Sequence, residues 1–163
     1  MSRPVAVLDA CALVPIRLAT TLLCLAEAGL FRPLWSNQIL DEVERSLPKL
    51  GVDTDRARRR VEKMREAFGV EALVDGFQAL IDEMACDPKD RHVLAVAVHE
   101  QADAVVTFNL KDFPEQAASP HGVEILHPDA FLLRLLHQRP DDVVEALAVG
   151  VLDLRRPPET LND

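Results

Sequence analysis

The chain has 163 residues, with 18 basic and 27 acidic side chains and a formal charge of −9, so its surface as a whole does not attract nucleic acid and better suits a basic protein partner. The length suits one domain with a substantial core; with six Phe, one Trp and no Tyr, Ala, Leu and Val must fill that core. Cys11, Cys24 and Cys86 are too few and too scattered for a disulfide framework or a zinc ribbon. Asp9 interrupts the first apolar stretch too early for a signal peptide, and Arg17 and Glu27 break up the next. No membrane span is expected and the chain reads as cytoplasmic.

In chain order, Pro4 to Leu8 is an unbroken apolar run, as expected of a strand buried on both faces. A helix follows over roughly Ile16 to Ala28, with Leu18, Leu22, Leu25 and Ala26 at helical spacing and Gly29 as its C-terminal cap. Phe31 to Trp35 reads as a brief second strand. Ser36 caps the next helix, whose apolar face is Ile39, Leu40, Val43 and Leu47, and Pro48 and Gly51 end it. Asp53-Thr54 opens a strongly charged helix that ends near Gly69, with Val61, Met64 and Phe68 as its apolar seam. The stretch from Ala72 to Glu83 carries a mixed signal, strand or helix.

Asp87 and Pro88 are placed to cap and begin a helix whose buried stripe is Val93, Leu94, Ala97 and Val98. His92 and His99, seven apart on that helix, read as surface or packing residues. Ala104 to Thr107 is a third buried strand. A loop with Pro114 and Pro120 leads to a fourth strand around Val123 to Leu126. Pro128-Asp129 and Pro140-Asp141 start two more helices, through Leu136 and Val149. The chain closes on Arg155 to Thr160, which resembles a helix start with no helix after it and reads as a cut or disordered end. Short strands alternating with helices argue for an α/β domain with a mostly parallel central sheet. In such sheets ligands collect beyond the carboxyl ends of the strands, where Asp9 and the Thr107–Asp112 loop fall.

Four acids, Asp9, Glu42, Asp90 and Asp112, each fall where a strand or helix end is expected. Brought together, they could not all stay ionised without a counter-charge. An all-oxygen site of this kind suits Mg²⁺ or Mn²⁺ and metal-assisted attack on a phosphodiester. Each acid also has a plainer reading. Asp9 is a good helix cap or turn residue, Glu42 one of several solvated acids beside Asp41 and Glu44, Asp87 a cap and Asp90 a first-turn acid, and Asp112 a loop acid.

The strand ending in Asp9, then Ser36-x-x-Ile39-Leu40-x-Glu42, then Asp87-Pro88-x-Asp90-Arg91-His92-Val93-Leu94-Ala95-x-Ala97, then Ala102-Asp103-x-Val105-Val106-Thr107-x-Asn109-Leu110-Lys111-Asp112-Phe113-Pro114 resembles the PIN-domain superfamily, and within it the VapC-type toxins of bacterial toxin–antitoxin pairs. The resemblance implies a PIN-like α/β/α sandwich over residues 1–127, with residues 128–163 as a C-terminal helical extension packed on the same domain. It implies an Mg²⁺- or Mn²⁺-dependent endoribonuclease, an RNA substrate and a small cognate antitoxin; the leucines of the first helix and the Phe131–Leu136 helix are candidates for a homodimer or antitoxin surface, with ordinary core as their plainer reading. Residue by residue, Asp9, Glu42, Asp90 and Asp112 match the acidic cluster that binds metal and acts in catalysis. Thr107 matches the hydroxyl residue beside it, and Asn109 and Asp87 are further candidates for the site. Cys11 stands where the family usually has Asn or Ser, and Asn109 where it often has Asp. Those departures motivate a second reading, a catalytically weakened PIN-like binding or regulatory module. A third, a phosphohydrolase with Asp9 as nucleophile, would want an Asp at position 11. Arg56, Arg59, Arg60 and Lys63 on the charged helix, and Arg91, are candidates for RNA contact; the plainer reading is a solvated helix paired with Asp55, Glu62 and Glu66.

Overall fold

The computed structural model describes residues 3–154, with side chains to residue 150; the Arg155–Thr160 segment lies outside the described residues. Four strands, β1 (Val5–Leu8), β2 (Arg32–Leu34), β3 (Ala104–Val106) and β4 (Glu124–Leu126), form one parallel sheet in the order β2-β1-β3-β4. Ala6 pairs with Pro33 on one side and Ala104 on the other, and Val105 pairs with Ile125. Ala6, Val7 and Leu8 are fully buried, as the apolar run of a central parallel strand requires. Pro33 sits in β2, an edge strand, where a missing ladder donor is tolerated. From β1 the chain steps outward to β2, then returns past β1 to build β3 and β4. The order therefore reverses between β1 and β3, and a crevice opens beyond their carboxyl ends.

The helices are α1 (Ala10–Leu13), α2 (Ile16–Glu27), α3 (Asn37–Ser46), α4 (Thr54–Ala72), α5 (Arg91–Glu100), α6 (Glu115–Ala118), α7 (Pro128–Gln138) and α8 (Pro140–Leu154). The short α1 and α6 carry too few residues for a periodic signal and were not anticipated. Helix α3 begins as the sequence suggests: the Ser36 hydroxyl accepts the Ile39 N–H at 3.1 Å, and Ile39, Leu40 and Val43 are buried. The regular course of helix α4 breaks at Gly69, near the expected end. It kinks there, at φ 61° and ψ −154°, a conformation that side chains disfavour, and runs on to Ala72. The ambiguous stretch after it forms a single parallel bridge, Leu73 to Trp35, and then a 3₁₀ segment over Gln78–Glu83.

The start of α5 also differs from expectation. Pro88–Asp90 forms a 3₁₀ turn, and the α-helix begins only at Arg91. Asp87 caps that turn, accepting the Lys89 N–H at 3.1 Å. Asp90 is thus no ordinary first-turn acid. It occupies the residue before the helix at φ −108° and ψ 0°, and its side chain makes no capping bond.

Helix α5 packs on β1 and β3, α2 and α4 pack on β2, and α8 packs on α2 and α7. Phe131 of α7 enters the core edge-on to Phe31, with ring centroids 4.9 Å apart at 88°. Trp35 meets Phe68 in the same way at 5.5 Å and 89°. Gly150 lets α8 approach α2, because a Cβ there would come within 2.9 Å of Cys24 Sγ.

Phe131 is 1% exposed, whereas Leu133 on the same helix is 54% exposed. Phe131→Ala is expected to cost about 3–5 kcal/mol of stability and Leu133→Ala less than about 1 kcal/mol. Urea denaturation of the two variants checks this; equal losses would mean that α7 is rotated from the orientation described.

Candidate active site

The two strands at the reversal point each end in a polar residue aimed at the other. The Asp9 N–H donates to Val106 O at 3.1 Å, so the chain is still tied to β3 one residue past β1. Its carboxylate is then held twice: Oδ1 accepts the Ala10 N–H at 2.8 Å, and Oδ2 accepts the Thr107 hydroxyl at 2.8 Å. The first bond caps α1, so capping and site roles coexist in one residue. Thr107 is fully buried, and its Oγ1 also accepts the Asn109 N–H at 3.0 Å, which fixes the turn after β3. Cys11 Sγ lies 3.6 Å from Asp9 Oδ2 and 3.4 Å from Thr107 Oγ1, and accepts the Phe108 N–H at 3.4 Å. Asp9 is 3% exposed. Burial raises its carboxyl pKa, the bonds from Thr107 and Ala10 oppose the rise, and the Glu42 charge adds to it.

Asp90 comes to the same place from the turn before α5. It is 7% exposed, and its Oδ2 has no hydrogen-bond partner. Burial, then the charges of Asp9 and Asp112, push its pKa up to about 7. A carboxylate oxygen with nothing to accept is costly in the interior.

Glu42 reaches the cleft from α3, with its side chain 30% exposed. Its Oε1 lies 2.8 Å from Nε2 of His92, close but off the line of a directed hydrogen bond. His92 is 3% exposed, so of the sequence's two alternatives it is an interior residue, while His99 is exposed.

Asp9, Glu42, Asp90 and Asn109 line one open cleft of about 420 Å³, together with Arg45, Lys49 and Lys89. Asp112 is not among its lining residues; it acts on Asp90 through its charge and lies 3.4 Å from Lys89 Nζ. Asp87 is occupied in its cap, and Arg91 donates to Cys86 O at 3.4 Å. Arg56, Arg59, Arg60 and Lys63 line a different groove, between α2 and α4. Arg60 there donates to the carbonyls of Leu13 and Val14, tying α4 to the end of α1. The basic residues at the acidic cleft are therefore ones that sequence reasoning missed. Part of their signal was available: Arg45 falls three residues after Glu42 on the same helix, and Lys89 adjoins Asp90, whereas Lys49 lies in a 3₁₀ turn beyond the end of α3.

In chemical kind these donors fit a hard divalent cation: two buried carboxylates, one with a bare oxygen, and a third at the cleft wall. Among the described residues no three His, Cys, Asp or Glu side chains are grouped so that together they could hold a metal ion. A partial set agrees with the habit of Mg²⁺, which keeps several waters and takes one or two carboxylates plus substrate phosphate oxygens.

Because the folded pKa of Asp90, about 7, lies above the ordinary 3.8, folding favours its protonated form. The associated stability is full below about pH 4 and is lost as pH rises toward 7. Asp90→Asn should therefore leave the cation-free protein about 1–3 kcal/mol more stable than the parent at pH 8, with little difference at pH 4. Urea midpoints measured across that range decide it, and a difference independent of pH would sink the assignment.

Comparison with known proteins gives a family. A model of the PIN domain family matches residues 5–111, a span that includes Asp9, Glu42 and Asp90 and ends one residue before Asp112. A protein of Mycobacterium tuberculosis (strain ATCC 25618 / H37Rv) named "Putative ribonuclease VapC50" is 44% identical over 82 residues, which is 50% of this chain and 48% of that relative. The chain thus matches about half the length of that curated relative. No solved structure gives a significant match. With a family match over well more than half of its length, and three of the four acids within it, the chain belongs to the PIN domain family.

Proposed function

We propose that this protein is a metal-dependent endoribonuclease and the toxin of a type II toxin–antitoxin module. The observation that carries the reading is the buried pair Asp9 and Asp90 at the carboxyl edge of β1 and β3, with one carboxylate oxygen unpaired. The relative named as a VapC ribonuclease supports it. Asp9 and Asp90 would hold Mg²⁺ or Mn²⁺, with Glu42 contributing from α3, directly or through water. When bound, the cation supplies charge stabilisation on the phosphoryl oxygens and makes water more acidic. The chain does the rest. Thr107 fixes Asp9 by donating its hydroxyl to Oδ2. Asp90 gives up its proton as the site charges, and one of the three carboxylates accepts the proton of the attacking water. Asp112 acts on Asp90 through its charge and keeps Lys89 at the rim.

Arg45, Lys49 and Lys89, exposed beside the acids, are suited to RNA phosphates, and they offset locally a chain charge of −9. The cognate antitoxin would be a small protein with a basic or apolar segment that covers the acidic cleft. Among the described residues no helix is long and apolar enough to cross a membrane; a cytoplasmic location and a homodimer belong to the same proposal. The second reading, a weakened PIN module that binds rather than cuts, is favoured by Cys11 beside Asp9 and by the open ligand set.

Purified protein incubated with total RNA should give discrete cuts with Mg²⁺ or Mn²⁺ and none with EDTA. Asp9→Ala and Asp90→Ala should each reduce cleavage by more than about 100-fold, since losing even an outer partner of a ligand costs 10–100-fold. Folded protein that binds its partner tightly but neither cuts RNA nor takes up Mn²⁺ would select the weakened module.

RNA affinity should fall with salt. The slope of log K against log[salt] should drop by about 1 for each of Arg45→Ala and Lys49→Ala, measured on an Asp9→Ala background that leaves the RNA uncut. Arg56→Ala and Arg59→Ala should leave the slope unchanged; the reverse result would move the RNA path to the α2–α4 groove.

A further inference from the structure

We infer that His92 is a positioning residue: it holds the Glu42 carboxylate at the wall of the cleft, turned toward the cation that Asp9 and Asp90 bind. The inference rests on reading the cleft as a cation site. Three observations carry it. First, His92 is 3% exposed, yet neither Nδ1 nor Nε2 makes a directed hydrogen bond to any described residue. Burying two ring nitrogens without partners is costly, and a leucine in the first turn of α5 would fill comparable space without that cost. Packing alone does not call for an imidazole. Second, Nε2 lies 2.8 Å from Glu42 Oε1, so a small rotation of the ring makes the bond. Third, the contact joins the elements that bring the site together. Glu42 comes from the middle of α3, and His92 lies two residues after Asp90 at the start of α5.

Glu42 is the most exposed of the three acids on the cleft, and its glutamate side chain is the longest. Untethered, it would sample rotamers pointing into solvent. A tether at Oε1 leaves Oε2 as the oxygen for the cation or its water. That is the arrangement in which outer partners orient metal-binding carboxylates. The charge of Glu42 is already felt at Asp9, so the tether acts within the same electrostatic site.

The test is Mn²⁺ binding without RNA, followed by the EPR signal of the free ion, with thermal melting of each variant as a separate readout. His92→Leu should weaken Mn²⁺ binding by about 10–100-fold while the fold remains. His92→Gln, whose amide can still donate to Glu42, should recover most of the loss. In a Glu42→Gln background, His92→Leu should add little further loss, because the tethered carboxylate is already gone. Should His92→Leu fail to fold, His92→Asn, polar but too short to reach Glu42, takes its place in the same cycle. Unchanged affinity in the His92 variants, or losses that simply add in the double variant, would overturn the positioning role while leaving the cation site intact. A parent protein that takes up no Mn²⁺ would overturn the cation reading itself, and the inference with it.

Discussion

Two carboxylates held side by side, with little water, at the carboxyl ends of neighbouring parallel strands form the constraint on which the rest of this molecule depends. Neither Asp9 nor Asp90 would choose that environment. Burial raises the pKa of both; the charge of Glu42 adds to the rise at Asp9, and the charges of Asp9 and Asp112 add to it at Asp90. The fold treats them unequally. Asp9 has both oxygens bonded, to its own helix start and to Thr107, whereas Asp90 keeps an oxygen with no partner. Asp9 is thus a fixed point, and Asp90 carries the unmet demand. In the proposed nuclease a divalent cation would meet that demand, by supplying the charge the protein leaves out.

Holding such a pair requires the particular strand order. Only because β3 returns to lie against β1 does Thr107 face Asp9 across the crevice, and only because α5 packs over both strands does its leading turn bring in Asp90. The 3₁₀ turn over Pro88–Asp90 matters in the same sense. An α-helix starting at Pro88 would leave Asp90 as an ordinary first-turn acid. The tighter turn puts it just outside the helix, where its carboxyl meets Asp9 rather than the helix's own N–H groups. The helices after β4 act at a distance, anchoring the first half of the chain through Phe131 on Phe31 and α8 on α2.

The charge pattern follows the same logic at larger scale. A chain of net charge −9 with a buried acidic centre repels polyanions unless the approach is locally basic. Arg45, Lys49 and Lys89 supply that locality at the cleft. The denser arginine set of α4 faces a separate groove, and Arg60 there is engaged with backbone carbonyls of α1. Counting charges along a helix does not tell which cations stand beside the acids, because cations from three separate segments converge there while those on one long helix line another groove.

What the sequence determined by itself is what short-range physics encodes. The unbroken apolar run of β1, the Ser36 cap, the buried stripe of α3 and the alternation of strands with helices are local patterns, and the parallel sheet follows from them. Asp9 and Thr107 were legible as a pair for the same reason: both end strands that lie in one sheet. Glu42 and Asp90 were legible only through the ordered motifs around them, since a single acid on a helix has a good plain explanation. The tertiary structure alone decided the rest. It carried the chain past the break at Gly69 to Ala72, turned Asp87 and Pro88 into a 3₁₀ entry, and paired Asp112 with Lys89. It also buried His92 against Glu42, fifty positions away in the chain. Such outcomes depend on which distant side chains occupy the last few ångströms around a residue, and no local pattern of spacing or propensity carries that information.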